Sequence, residues 1–278
     1  MNTETKGAIL VFSSVIIFGI VGTLIRIINL PENIIIGISA SIASIILSFV
    51  LIYRREFVFH KIGLLIFSGL LTIATIYFFF KAFSLTTMAN TIFTHYTAPV
   101  FTALIAPFIL KEKIGRKSIL SLALSVVGLF LITSGSLSFE KNHLAGIMFG
   151  ILSGFFYGIL IVVNKILLEK NSPFQVMYAQ SIVPAIILLP TVLFSDFRLS
   201  IISASLIIFQ SILVYITASI LYLYGMKYLD SHKSAIISYG EVIFTLLYAF
   251  IFFSEIPNTI TIIGGAFIII GGVLVMAK

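Results

Sequence analysis

The chain has 278 residues, of which 60% are hydrophobic and only 10% are charged, and it contains neither cysteine nor tryptophan. This balance excludes a soluble enzyme or binding module and predicts a polytopic membrane protein, while the lack of cysteine excludes disulfides and thiolate metal sites. The formal net charge of +7 is expected to set membrane orientation, and we expect neither a nucleic-acid partner nor a cofactor.

Ten apolar segments, each long enough to cross a bilayer, follow one another along the chain with short connections. They cover roughly residues 6–28, 33–53, 62–82, 86–110, 116–134, 144–168, 173–194, 204–227, 231–253 and 258–276. We therefore predict an all-α polytopic membrane protein with ten transmembrane helices and no inserted soluble domain.

Loop charges predict the orientation of these segments. If the N terminus is cytoplasmic, only four of the 17 lysines and arginines fall outside, namely Arg26, Lys81, Lys141 and Arg198. Positive charge concentrates on the cytoplasmic side of membrane proteins. We therefore predict a plasma (inner) membrane protein with both termini in the cytoplasm.

The fourth and ninth segments share one polar pattern. A shift of 143 positions pairs Thr91 with Ser234, His95 with Ser238, Thr102 with Thr245 and Glu112 with Glu255. Comparable shifts relate the first segment to the sixth and the fifth to the tenth. An odd number of helices per copy reverses the topology of the second copy, and the two equivalent loops KEKIGRK and SEIPNT do differ in positive charge. The sequence thus predicts two inverted five-helix repeats, residues 1–136 and 137–278.

Two copies of such a unit resemble the EamA domain of the drug/metabolite transporter superfamily. In that family the fourth helix of a unit carries a proline-valine pair before an acid, and the first helix carries an aromatic-glycine pair before a base. The matching residues are Pro99, Val100 and Glu112, then Glu241, Val242 and Glu255, then Phe18, Gly19 and Arg26, and finally Tyr157, Gly158 and Lys165. The second copy departs from the pattern at Val242, where the family commonly has proline.

The resemblance implies a ten-helix inverted-repeat carrier with a central cavity lined by helices 1, 3, 4, 6, 8 and 9. Helices 5 and 10 are implied to be peripheral and to face the partner in a homodimer. Their glycines would permit close helix approach on physical grounds alone.

Glu241 and His95 are the polar residues predicted to lie deepest in the bilayer. Glu241 stands about ten residues into its helix, which places it ~15 Å deep, where a carboxylate must face protein or water. It would couple transport to protons or bind a substrate amine; the alternative is a protonated strut between helices. His95 would pair with Glu241, shuttle a proton or bind substrate, or it would simply pack. Direct contact between the two is left open.

Further candidates either extend the polar faces of helices 4 and 9 or lie on helices 3, 6 and 8. Substrate-binding or coupling residues are expected among Asn90, Thr91, Thr94, Ser234, Ser238, Tyr77, Tyr157, Gln210 and Tyr215. Pro99 removes the N–H that would bond to the His95 carbonyl, so it predicts either a static kink or a bending point for gating. Lys165 lies near a helix end, where snorkelling explains it.

These residues favour a secondary transporter that exports a small polar metabolite, amino acid or amine-like, by alternating access, with proton coupling as one option. The acid, the histidine and the amides suit a zwitterion or amine better than a multiply charged anion. The alternative is a flippase of a lipid or lipid-linked sugar, which would need a lateral opening. An intramembrane enzyme is disfavoured, because no H-E-x-x-H motif occurs and both aspartates lie in loops or at helix ends.

Overall fold

The computed structural model describes residues 2–28, 30–86, 88–134, 143–254 and 256–276. Lys141 and Glu255 lie outside these residues, as does the side chain of Arg26. Ten helices long and apolar enough to span a membrane occur in the described chain, so the prediction of an all-α polytopic membrane protein is confirmed.

We number the spans α1 to α10, four of which consist of more than one segment. They are α1 (Thr3–Phe18 and Val21–Ile28), α2 (Glu32–Arg54), α3 (Ile62–Leu85), α4 (Met88–His95 and Ala98–Ile109), α5 (Arg116–Ser134), α6 (Leu144–Leu167), α7 (Pro173–Phe194), α8 (Ile201–Gln210, Ser211–Ala218 and Ser219–Met226), α9 (Ser231–Ser238 and Gly240–Phe253) and α10 (Thr259–Met276). Because the number of spans is even, both chain ends lie at one face of the molecule, which we call the terminal face; the other is the opposite face.

The helix ends follow ordinary capping chemistry. Ser172 caps α7, with its side chain accepting from the Gln175 N–H while the Gln175 side chain accepts from the Ser172 N–H, and Pro173 takes the first helical position. At the ends of α4 and α9, Lys111 and Ser254 both adopt left-handed backbone with φ 56°. These two residues are 143 positions apart, so the equivalent helices end in the same way.

Two helices break at equivalent positions. α4 is interrupted after His95 and α9 after Ser238, and the intervening Tyr96 and Tyr239 again differ by 143 positions. The break in α4 precedes Pro99, whose ring cannot continue the hydrogen-bond ladder. The break in α9 has no proline and falls at Tyr239, just before Gly240 begins the second segment. The broken backbone is therefore a property of both helices and does not depend on the proline alone.

The middle of α8 is a π-helix, Ser211–Ala218. Its hydrogen bonds span five residues, and the Thr217 hydroxyl follows the same spacing by donating to the Ile212 carbonyl at 2.8 Å. π segments inside α-helices are uncommon and often mark functional sites.

The principal helix pairs are related by exchanging the two halves of the chain. They are α5 with α10, α2 with α7, α3 with α6 and its equivalent α1 with α8, and α4 with α6 and its equivalent α1 with α9. At the α5–α10 crossing, a Cβ on Gly128 or on Gly264 would lie 2.5 Å from the carbonyl oxygen of the other glycine. Gly128 and Gly264 therefore allow α5 and α10 of the same chain to approach each other closely, whereas the sequence analysis expected such glycines to allow the approach of a dimer partner. Gly265 and Gly272 would meet nothing within 4 Å.

Candidate substrate pathway

A cavity of about 210 Å³ lies between α1, α3, α6, α7 and α8. Its polar lining includes Thr75, Tyr157, Asn164, Gln180, Tyr215 and Tyr222. We call it the inner cavity, because Asn164 and Gln180 stand near the ends of α6 and α7 at the terminal face. Contrary to what the resemblance implied, α7 contributes to the lining, and no lining residue comes from α4 or α9 in the described chain.

A second cavity, of about 360 Å³, lies between α2, α3 and α7 toward the opposite face. Tyr77, Lys81 and Asn33 are among its lining residues, and Tyr77 is 56% exposed. We call it the outer cavity. Ile76 lines both cavities, so the two adjoin at this residue of α3, and together they reach from the opposite face to the depth of Asn164.

Hydrogen bonds hold part of the inner lining in place. The side-chain amide of Gln180 donates to the Asn164 side-chain oxygen at 2.5 Å. The Tyr215 hydroxyl donates to the backbone carbonyl of Gln180 at 3.1 Å. The Thr75 hydroxyl is buried without a hydrogen-bond partner among the described groups, whereas the Tyr222 hydroxyl interacts with the side chains of Tyr157 and Ser238. Buried hydroxyls are normally paired, so the Thr75 hydroxyl is a candidate for contact with a bound molecule.

His95 lies behind the inner cavity. Its ring stacks on that of Tyr157 with centroids 5.3 Å apart and planes inclined by 9°. Ser153 donates its hydroxyl proton to the Thr75 carbonyl at 2.8 Å, so it accepts from the His95 Nδ1–H, also at 2.8 Å. Tyr157, and not His95 itself, forms the cavity wall at this point.

Glu241, on α9, lies beside Tyr96, Tyr157 and Tyr222, and we call these three residues the tyrosine layer. The partly buried carboxyl of Glu241 interacts with the Tyr96 hydroxyl and lies close enough to Tyr157 and Tyr222 to influence both electrostatically. No hydrogen bond or ion pair joins Glu241 to His95 within the described chain. The two residues are connected through the tyrosines, and those tyrosines separate the carboxyl from the cavity.

The two helix breaks meet at a pair of equivalent tyrosines that the sequence analysis did not single out. The rings of Tyr96 and Tyr239 stack with centroids 6.1 Å apart, and the Tyr239 hydroxyl donates to the Tyr96 carbonyl at 2.9 Å. The bond satisfies a carbonyl within the interruption of α4. The shift of 143 positions already related these residues, so the repeat was the signal that could have identified them.

The other candidates on α4 and α9 lie against neighbouring helices. Thr94 donates to the Asn90 carbonyl at 2.6 Å, and Ser238 donates to the Ser234 carbonyl at 3.0 Å. Asn90 donates to Thr86 at 2.6 Å, Ser234 donates to the Asp230 carbonyl at 3.2 Å, and Thr91 is fully buried. None of these lines either cavity. Gln210 on α8 is buried outside both cavities, with its Oε1 lacking a hydrogen-bond partner in the described chain.

At the terminal face, the loop between α2 and α3 is bonded to the loop between α6 and α7; we call this contact the seal. The Asn171 side chain accepts from the His60 N–H at 2.9 Å and donates to the His60 carbonyl at 3.1 Å. The Gln175 amide donates to the Val58 carbonyl at 2.8 Å. The seal thus joins the first half of the chain to the second, beneath the inner cavity.

A carboxylate lies at the centre of the seal. Glu56 accepts hydrogen bonds from the Ser172 hydroxyl and from Arg54, the latter at 2.7 Å. Burial alone would raise the pKa of Glu56, but the hydrogen bonds from Ser172 and Arg54 outweigh it and hold the pKa below its ordinary value. The ionised form of Glu56 is therefore the one that the seal stabilises.

A second set of contacts at the terminal face holds the start of α9. Glu112 accepts from the Ser231 N–H at 2.7 Å, from the Ser231 hydroxyl at 3.0 Å and from the His232 Nδ1 at 2.8 Å. Burial would raise the pKa of Glu112, but these hydrogen bonds lower it below its ordinary value. The acid of the resemblance motif thus caps the helix of the other half.

Lys165 also has a specific role. Its ammonium donates to the Met226 carbonyl at 2.7 Å and to the Leu229 carbonyl, at the end of α8. Cations at helix C-termini stabilise the exposed carbonyls. Snorkelling is therefore not needed to account for this residue.

Comparison with known proteins places the chain among membrane transporters. The EamA-like transporter family matches residues 5–134 and 144–277. An uncharacterized transporter of Archaeoglobus fulgidus is 29% identical over 212 residues, which are 76% of this chain and 73% of that protein. The uncharacterized transporter YxxF of Bacillus subtilis is 26% identical over 191 residues, or 66% of this chain and 61% of its own.

A solved structure titled "Crystal structure of protein" shares the fold, with a TM-score of 0.84 over 97% of both chains and 15% identity. The prediction of a transporter and not an enzyme is confirmed by the family match and by the names of the relatives. The chain is a multi-pass membrane protein that belongs to the EamA-like transporter family.

Proposed function

We propose that the chain is a secondary transporter that exports a small polar metabolite, of the amino acid or amine-like class, by alternating access. The observation that supports it is the arrangement of the two adjoining cavities, of which the outer lies toward the opposite face, while the inner lies on the side of the seal. A cavity closed on one side by a bonded seal is what a carrier requires in one of its two access states.

The orientation completes this proposal. With both termini in the cytoplasm of a plasma membrane, as the loop charges predict, the seal closes the cytoplasmic side and the outer cavity faces outward. Residues 1–136 and 137–278 would then be the two inverted repeats, and the seal would have to open for substrate to enter from the cytoplasm.

The natural lack of cysteine makes this arrangement testable by single-cysteine labelling. Ser219 lines the inner cavity. We expect Ser219→Cys to react much faster with a membrane-impermeant maleimide added outside than with the same reagent added to the cytoplasmic side. Asp196→Cys and Lys170→Cys, in exposed loops of the opposite and terminal faces, serve as the orientation standards. Reaction of Ser219→Cys at the same rate from both sides, unchanged when the seal is weakened, would contradict a carrier and indicate a channel.

Proton coupling is assigned to Glu241, because its carboxyl lies in the tyrosine layer behind the cavity. Glu241→Gln retains a group that can interact with the Tyr96 hydroxyl but cannot release a proton. We expect it to abolish uptake driven by a pH gradient in proteoliposomes while expression stays normal, and Asp196→Asn is the matched control. Loss of folding in Glu241→Gln would favour the strut interpretation instead.

A lipid or lipid-linked sugar flippase is the second candidate. It is favoured by the outer cavity, in which the apolar side chains of Ile73, Phe80 and Leu188 lie beside Lys81, as an acyl chain and a phosphate would need. Movement of a fluorescent phospholipid between leaflets of proteoliposomes, without transport of amino acids, would establish this function in place of the first.

A further inference from the structure

The inner cavity contains an amide pair with unused hydrogen-bonding capacity. Asn164 is 5% exposed and Gln180 is 7% exposed, and one hydrogen bond joins them. Each side-chain amide offers an NH₂ donor and a carbonyl acceptor. The bond uses one N–H of the Gln180 side chain and the side-chain oxygen of Asn164, so the Asn164 NH₂ and the side-chain oxygen Oε1 of Gln180 remain available to a ligand.

Two hydroxyls extend this polar wall. Thr75 and Tyr222 are 7% and 6% exposed, and both line the inner cavity. The Thr75 hydroxyl has no hydrogen-bond partner in the described chain, whereas the Tyr222 hydroxyl interacts with Tyr157 and Ser238. A buried hydroxyl left unpaired costs free energy that a bound polar group would recover. The donors and acceptors of these four side chains come from α3, α6, α7 and α8, so a ligand bound here touches both halves of the chain.

The lining of the inner cavity carries no aspartate, glutamate, lysine, arginine or histidine among the described residues. Glu241 and His95 are separated from it by the tyrosine layer. The remaining wall is apolar and includes Phe18, Leu160 and Leu223. An unpaired ion is strongly disfavoured in such surroundings, whereas the adjacent opposite charges of a zwitterion partly compensate each other.

We propose that the Asn164–Gln180 pair recognises the head group of a net-neutral, zwitterionic substrate with a compact apolar side chain. The substrate ammonium donates to the side-chain oxygen Oε1 of Gln180, and the substrate carboxylate accepts from the Asn164 side-chain NH₂. This inference rests on the proposed transport function and narrows its substrate class, because it selects zwitterions over simple amine cations and over acids.

Thermal unfolding of the purified protein with matched ligands tests the proposal, since a ligand of the native state raises the melting temperature. Leucine, leucinamide and N-acetylleucine share one apolar body but are zwitterion, cation and anion. We expect leucine to stabilise the wild type, and the other two to need at least about tenfold higher concentration for the same shift. The free amino acid, the amide and the N-acetyl derivative of alanine, methionine and phenylalanine extend the comparison to side chains of other sizes.

Asn164→Asp is expected to change the stabilisation by two ligands in opposite directions, which loss of folding would not do. The aspartate keeps an oxygen that accepts from Gln180 but replaces the NH₂ donor with a negative oxygen. We expect this variant to lose stabilisation by leucine at least about tenfold and to gain stabilisation by leucinamide. Asn258→Asp, which can still cap α10 through the oxygen that accepts from the Thr261 N–H at 2.9 Å, is the control and should keep the wild-type preference.

Two results would overturn the proposal. One is wild-type protein that binds leucinamide as tightly as leucine, which would indicate a cation site; the other is wild-type protein that no member of the four series stabilises. Either result would leave the Ser219→Cys labelling to decide separately whether the chain alternates access, so failure of the recognition site and failure of the transport proposal can be distinguished.

Discussion

The carboxylate of Glu112 shows how one residue ties the two halves of the chain together. Its side chain is only 7% exposed, and the His232 ring bonded to it is 1% exposed. The other nitrogen of that ring pairs with the Ser118 hydroxyl at 3.2 Å, so α5 is part of the same network. Removing the acid would leave the first N–H groups of α9 without their acceptor.

Glu112→Gln should therefore lower the stability of the protein by about 2–4 kcal/mol, the range for losing charged hydrogen bonds within a buried pair. The pKa of Glu112 is lower in the folded protein than its ordinary value of 4.5. Its stabilisation is thus present above that value and is lost as the pH falls through the folded pKa. Melting temperatures followed from about pH 6 down to about pH 3 should show an acid-dependent loss in the wild type that the variant lacks. Parallel curves would contradict the assignment.

The polar residues of α4 and α9 show why the sequence predicted the positions of the helices correctly but not the residues that line the cavity. Serine and threonine hydroxyls in a helix can donate to a carbonyl of the preceding turn. Thr94 and Ser238 do so, and they need no water-filled space. Periodicity shows that such residues share a face, but it does not show whether that face meets a cavity or another helix. Tyr157 and Tyr215, by contrast, were expected as lining residues and do line the inner cavity.

The interruption of α4 is the element on which the proposed gating acts. Pro99 is buried at the start of the second segment, and the bond from Tyr239 reaches the carbonyl of Tyr96. On α6, a Cβ at Gly154 would lie 2.8 Å from the His95 carbonyl oxygen, so the freed carbonyl is closely packed. Because α9 breaks without a proline, Pro99 fixes the geometry of the break in α4 and is not the reason that breaks exist.

Pro99→Ala restores a donor for the His95 carbonyl and should straighten α4. We expect it to slow turnover more than it weakens binding, which transport rates and ligand-induced melting shifts measured on the same protein would separate. Ala103→Ser, a small change in the same segment, is the comparison. Turnover equal to that of wild type would rule out a gating role for the bend.

At the scale of the whole molecule, the seal sets which face is open. Its hydrogen bonds link loops about 110 residues apart in the chain, such as His60 with Asn171. Composition and repeats predicted the ten spans and the family, because those signals are local or periodic. No local signal indicates which loops of the two halves will be bonded to each other, so the seal could only be found in the structure.

Glu56→Gln should shift the molecule toward opening at the terminal face. A hydrogen bond to a charged group contributes at least about 1.5 kcal/mol, so labelling of Ser219→Cys from the cytoplasmic side should rise about tenfold. Because the pKa of Glu56 is below its ordinary value with the seal formed, acid should weaken the seal in wild type and have little effect in the variant. The exposed pair of Lys61 and Glu169, at 3.1 Å, offers Glu169→Gln as a control with a small expected effect. Unchanged labelling in Glu56→Gln would show that the seal does not control access.

The π-helix in α8 has a consequence for how the inner cavity can change shape. A π segment holds more residues per turn than an α segment, so moving it by one residue along α8 rotates the side chains on one side of it about the helix axis. Tyr215 lies within the segment, whereas Ser219 and Tyr222 follow it, and all three line the inner cavity. Movement of the π segment along α8 would therefore reorient the hydroxyls of these three residues around a substrate. The ends of α8 would stay in place, one of them held by Lys165.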